Sequence, residues 1–356
     1  MSDVYRQLQE RLDQWSTGFP ATENQSEIKV LKHMFSEEEA LLFLELTPFP
    51  ETPAEAAARL GKDPDTLAEK LESMAKKGHL YRLRKNGDVR YSAVPFVVGV
   101  MEFQLNHIAS NKALAKDMAV YGMSGFVKSL ASLDTPHQRS IPINTELVSA
   151  WPVAPYDDAV AILKRQKKIA LANCVCRTMV RQVTSMLCDK PLETCMMFGT
   201  TADYYIENGM GREISVDQAM DVLKLCDEHA MVIQPLNSKD SGAICACCGD
   251  CCGMMNSLKM RDKPADAVKS SYFAVIDQDE CVGCEVCLER CQIGAITMDD
   301  GKAQLNLDRC IGCGLCVTRC PSEAIRLQKK SEDQLYDPPA NHMDMYIRMG
   351  MERGKI

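Results

Sequence analysis

Two sixteen-residue stretches near the end of the chain repeat one another, and their cysteine spacing constrains this sequence more than any other feature in it. Residues 281–296 read CVGCEVCLERCQIGAI and residues 310–325 read CIGCGLCVTRCPSEAI, identical at half of their positions and offset by 29 residues. Each is a C-x2-C-x2-C-x3-C run. Three thiols three residues apart on a tight loop can hold three corners of one compact inorganic cluster, while the fourth, opening a short helix, points elsewhere. Gly283 and Gly312 keep side-chain bulk off those loops and permit unusual backbone angles. Zinc knuckles share the C-x2-C step, but they rarely place four cysteines in one eleven-residue run, and not twice.

Over about residues 272–330 the pattern resembles the two-cluster bacterial ferredoxins. The resemblance implies two [4Fe-4S] clusters, one on Cys281, Cys284, Cys287 and Cys320, the other on Cys310, Cys313, Cys316 and Cys291. Pro321 follows its cysteine as that family expects. Gln292 takes the matching place in the first repeat, a departure that leaves the ligands intact.

Ten of the eighteen cysteines lie upstream. Cys226 sits at helical spacing from Val222 and Leu223 and reads as a core residue. The other nine, Cys174, Cys176, Cys188, Cys195, Cys245, Cys247, Cys248, Cys251 and Cys252, are candidate metal ligands. Five of them fall within eight residues, an oxidation hazard for bare thiols. One or two further [4Fe-4S] clusters are expected there, with zinc as the alternative. Adjacent thiols such as Cys247 and Cys248 point in different directions, so they suit bridging two sites better than gripping one ion. Arg177 is placed to stabilise an anionic thiolate group. From about 150 to 330 the order C-x-C-R, two later cysteines, a packed C-x-C-C and then the repeat is similar to an uncharacterised anaerobe family. That resemblance implies an electron-transfer partner of larger redox enzymes.

The expected architecture is α+β and multidomain. Residues 1–35 read as an N-terminal helical segment with a turn at Gly18-Phe19-Pro20. Residues 36–96 carry three helix signals: Ser36 capping Ala40–Leu46, Pro53–Leu60 ended by Gly61, and a helix capped by Asp63 and ended by Gly78. Two short strand patterns follow around Asn86-Gly87. That order resembles a winged helix–turn–helix. Residues 97–262 read as a mainly helical cysteine-rich domain, broken by Pro136, Pro142, Pro152 and Pro155, with helices over Tyr156–Ile169 and Val216–Met231. The charged stretch Lys259–Lys269 connects it to the 272–330 repeat domain, and 331–356 forms a tail with a Met-rich helix candidate.

Net charge is −8, which argues against a protein held to nucleic acid by overall charge. Residues 53–92 carry nine basic and six acidic residues, yet Pro64–Lys77 sets Asp65, Glu69 and Glu72 against Lys70, Lys76 and Lys77. That balance suits DNA poorly, so a protein-docking role is preferred. No stretch has the apolar length of a membrane span, and Met1–Glu10 is polar, so a cytoplasmic location is expected. There is no G-x-G-x-x-G after a strand and no phosphate loop. His229 reads as an ordinary helix histidine.

Without a two-electron cofactor signature, the chain reads as an electron conduit, more a subunit of an oxidoreductase complex than a stand-alone catalyst. The expected partners are redox proteins, such as a flavoprotein or a heterodisulfide-reductase-like complex. A redox-sensing transcriptional regulator is the alternative, and an enzyme with an open iron site upstream is the third reading.

Overall fold

The computed structural model describes residues 3–85, 87–148, 153–184 and 188–355; Asn86 and Pro152 therefore lie outside the described residues. Five helices open the chain: α1 (Val4–Asp13), α2 (Ser26–Met34), α3 (Glu37–Glu45), α4 (Pro53–Leu60) and α5 (Pro64–Lys76). The first 35 residues thus hold two helices, the second burying Ile28, Val30, Leu31 and Met34. At α3 the Ser36 Oγ accepts the Glu39 N–H at 3.2 Å and Glu39 Oε2 accepts the Ser36 N–H at 2.9 Å. Such a cap contributes about 1 kcal/mol. Gly61, at φ 64, ends α4, and Asp63 and Pro64 start α5.

Strands β1 (Tyr81–Lys85) and β2 (Asp88–Ser92) pair antiparallel, with Tyr81 opposite Ser92 and Lys85 opposite Asp88. This hairpin packs on its own chain. Arg82, buried, bridges Glu72 at 2.8 Å and Glu207 at 2.7 Å. Tyr204 donates its hydroxyl to the carbonyls of Ala75 at 2.8 Å and Leu80 at 2.9 Å. Arg84 pairs with Glu207 and Arg90 with Glu55, each at 3.0 Å.

The cysteine-rich middle holds, among its helices, a sheet that its sequence pattern did not predict. A five-stranded antiparallel sheet runs through it in the order β5-β3-β4-β7-β6. Its strands are β3 (Ile169–Asn173), β4 (Glu193–Phe198), β5 (Gly211–Ile214), β6 (Val232–Pro235) and β7 (Ala243–Cys247). The helix expected over Tyr156–Ile169 covers only Ala159–Lys164, and Ile169 already opens β3. The reason is physical: β3, β4, β6 and β7 are short, buried and nearly continuous apolar runs, which lack the alternation of a half-exposed strand. Their β-branched residues, Ile169, Thr194, Val232, Ile233 and Ile244, are diluted by Ala, Met and Cys, which weakens the strand signature. The helix Val216–Glu228 forms where expected and buries Cys226 completely; His229 caps its end.

After that sheet come β8 (Tyr272–Ile276), β9 (Ile296–Asp299), β10 (Lys302–Leu305) and β11 (Ile325–Lys329), paired β8 with β11 and β9 with β10. The Met-rich helix His342–Glu352 returns to the N-terminal half: Met345 and Met349 bury against Leu133, and Arg353 donates to the Asp13 carbonyl at 2.6 Å. One apolar core runs from Tyr5 to Ala243 and another from Ile141 to Leu327, so both cross the cysteine-rich middle. Among the described residues no helix is long and apolar enough to cross a membrane.

Candidate metal centres

The β8/β11 and β9/β10 pairs frame two loop sets that bring the eight repeat cysteines together as two fours. Cys281, Cys284, Cys287 and Cys320 line one cavity, and Cys291, Cys310, Cys313 and Cys316 line the other. Each cavity therefore takes its fourth thiol from the opposite repeat. Gly283 and Gly312, at φ 69 and 65, face backbone carbonyls of Gly301 and Tyr272 so closely that a Cβ would clash. Backbone N–H groups point at the sulfurs: Ala274 at Cys310 Sγ (3.4 Å) and Ala295 at Cys291 Sγ (3.2 Å). N–H donors of this kind stabilise cluster-bound thiolates, and the thiols are spread rather than gathered on one point, so a cubane fits each cavity. Cys284 is exposed, whereas Cys310 is buried.

Six upstream thiols form a closed ring. Cys174 contacts Cys176 and Cys195; Cys195 contacts Cys245; Cys245 contacts Cys247; Cys247 contacts Cys252; and Cys252 contacts Cys176. Four elements supply them. Cys174 and Cys176 open the helix Val175–Val183, Cys195 lies on β4, Cys245 and Cys247 lie on β7, and Cys252 caps the helix Gly253–Lys259. On β7, Cys245 and Cys247 are two apart and so share one face of the sheet.

All six, together with Cys251, line one cavity of ≈ 210 Å³, whose other walls are mostly apolar, among them Phe96, Met118 and Phe126. A few polar groups also reach it. Burial pushes the Glu102 carboxyl up to about 8. His137 is buried with neither ring nitrogen hydrogen-bonded, and Gln138 Oε1 is likewise unpartnered. No sequence signal marked Glu102, His137 or Gln138, since each is a single polar residue in an unpatterned stretch.

The remaining three, Cys188, Cys248 and Cys251, are buried and gathered, every pair of sulfurs lying within 4.8 Å. Among the described residues theirs is the one trio of His, Cys, Asp or Glu so placed. Arg177, fully buried, stands between ring and trio: it donates to the Ala246 carbonyl at 2.9 Å and to Thr194 Oγ1, and approaches Cys248 Sγ at 3.9 Å. Burial lowers its basicity, but Cys174, Cys195 and Cys248 more than offset this and hold it above its ordinary value.

Residues 274–327 match the family model of the 4Fe-4S dicluster domain. That segment is thus an iron–sulfur, ferredoxin-like domain of the electron-transport class. Among curated proteins, the chain is similar to one component of the H(2):CoB-CoM heterodisulfide,ferredoxin reductase of Methanothermobacter marburgensis, 51% identical over 35 residues. Those residues are 10% of this chain and 5% of that protein, so the likeness extends to a small segment alone. No solved structure matches the chain.

Proposed function

We propose that the chain relays single electrons between a larger redox enzyme and its own upstream cysteine centre. The observation that carries this reading is the graded exposure of the two four-thiol sets. Cys284 is exposed beside Val282, which is 67% exposed, and gives a partner access to the first set. The second set lies deeper and abuts the upstream region, where the Ile143 N–H donates to the Cys313 carbonyl at 3.0 Å and Gln292, next to Cys291, meets Gly249. Cubanes held at these positions supply one-electron steps at potentials between about −700 and +450 mV. The matched segment of a heterodisulfide,ferredoxin reductase supports a redox complex as partner. Further iron–sulfur in the six-thiol ring would extend the relay. Anaerobic isolation with iron and sulfide analysis tests this: more than eight irons per chain, reducible and paramagnetic at low temperature, are expected, and two or fewer overturn it.

The regulator reading lacks support, because Arg82, Arg84 and Arg90 of the hairpin are already engaged by Glu72, Glu207 and Glu55. We read α3–α5 and the hairpin as a docking module. A second reading has one specific observation in its favour. His137 and Gln138 offer unsatisfied polar atoms to an apolar cavity beside six thiols, as a site for a small, largely apolar substrate does. Saturable change of the upstream spectrum by n-butyl isocyanide, with the ferredoxin-type signals unmoved, would favour a reductase over a conduit.

A further inference from the structure

Cys188, Cys248 and Cys251 differ in spacing from every other thiol set in the protein. The Cys188 and Cys248 sulfurs are 3.5 Å apart and all three pairs fall within 4.8 Å. Thiolates on one tetrahedral zinc, with Zn–S near 2.3 Å, stand about 3.8 Å from each other. Thiolates of a cubane sit on different irons and stand wider. The ferredoxin-type sets provide the internal control, since none of their eight cysteines belongs to a trio this close.

The local chain agrees. Cys248-Gly249-Asp250-Cys251 is a C-x2-C turn, the half-site from which structural zinc sites are built. Backbone N–H groups of Cys251 and Lys190 point at the Cys248 and Cys188 sulfurs. Arg181 donates to the carbonyls of Cys188 (3.3 Å) and Lys190 (2.7 Å), fixing the segment that supplies the third thiol. Three thiolates on a divalent ion leave one negative charge, and the Arg177 guanidinium beside Cys248 offsets it.

We propose that Cys188, Cys248 and Cys251 hold a single thiophilic divalent ion, zinc, with solvent completing the tetrahedron. The ion pins the 248–251 turn, and that turn docks on the ferredoxin-type domain, where Gly249 donates to Gln292 Oε1 at 2.9 Å, while Lys259 Nζ of the following upstream helix donates to the Gly249 carbonyl at 2.7 Å. The upstream iron is thereby confined to the six-thiol ring, and the zinc assignment stands whether or not that ring is loaded.

Metal analysis of the full-length protein, prepared without air with both iron and zinc supplied, tests the assignment. About one zinc per chain is expected, lost in Cys188→Ser with iron unchanged, and retained in Cys176→Ser. Cys251→His, which keeps a zinc-competent donor, should hold the ion and guards against a merely misfolded variant. Cobalt in place of zinc should give tetrahedral thiolate absorption that disappears in Cys188→Ser. A wild-type protein without zinc, or a loss of about four irons in Cys188→Ser, would overturn the proposal in favour of a cubane.

Discussion

Gly249 donates its backbone N–H to the side-chain oxygen of Gln292 at 2.9 Å, joining the turn between two upstream cysteines to the residue that follows Cys291. Gln292 occupies the place that proline takes in the second repeat. Proline has no side-chain acceptor, so the departure from the ferredoxin pattern matches a contact between the two cysteine regions. A Cβ on Gly249 would also collide with the Gln292 carbonyl, which makes the close approach specific to glycine.

Removing that acceptor should therefore weaken the joint. Gln292→Ala leaves the Gly249 N–H without its partner, at a cost of about 1 kcal/mol. The melting temperature should fall by about 2 °C. Gln292→Pro should fall at least as far although it restores the family residue, and a melting curve identical to wild type would count against the contact.

The exchange of fourth thiols predicts which signals are lost together. Cys320→Ser should remove about four irons and the spectrum of the exposed Cys281 set, although residue 320 lies in the second repeat. Cys291→Ser should do the same to the buried Cys310 set. Quantitative electron spin resonance on the two variants checks this, and loss of the other signal in either would refute the pairing.

Arg177 is fully buried among thiols, where its positive charge compensates theirs. Arg177→Met deletes that compensation and the bond to the Ala246 carbonyl. Destabilisation of about 3 kcal/mol is expected. Arg177→Lys keeps the charge but not the planar fork, and should fall between. Urea titration of the anaerobic proteins provides the ordering.

His137 should make the protein acid-sensitive. Burial first, and His342 second, push its imidazole down to about 3. The folded value thus lies below the unfolded value near 6.5, so the folded state disfavours the proton. The associated stability is fully present above about pH 6.5 and is lost as pH falls toward the folded value, by up to about 1.4 kcal/mol per unit. Between pH 6 and 4, wild type should lose stability faster than His137→Phe, roughly by that slope, in matched urea titrations. Parallel curves would show that His137 is not the titrating group.

How much of this was legible beforehand depended on the range of the forces involved. The capping box at Ser36 and Glu39, the glycine stop at Gly61 and the β1/β2 hairpin are local events, set by residues within a few positions of each other. The ferredoxin-type repeat was equally legible, because its thiols are spaced by the loop that carries them. The central sheet was not: its apolar runs say only that they are buried, and burial is shared by helix and strand.

The sequence by itself determined that thiols would gather, since seven of the nine candidate upstream cysteines sit in two short bursts that bare sulfur tolerates poorly. Only the tertiary structure decided that they divide six and three. Cys247 and Cys248 are neighbours in the chain, but Cys247 ends β7 while Cys248 already leads into the turn that follows. One joins Cys245 and Cys252 in the ring while the other turns toward Cys188 and Cys251. Cys188 lies sixty residues from Cys248, and their contact depends on the sheet, the Val175–Val183 helix and Arg181 holding both in place.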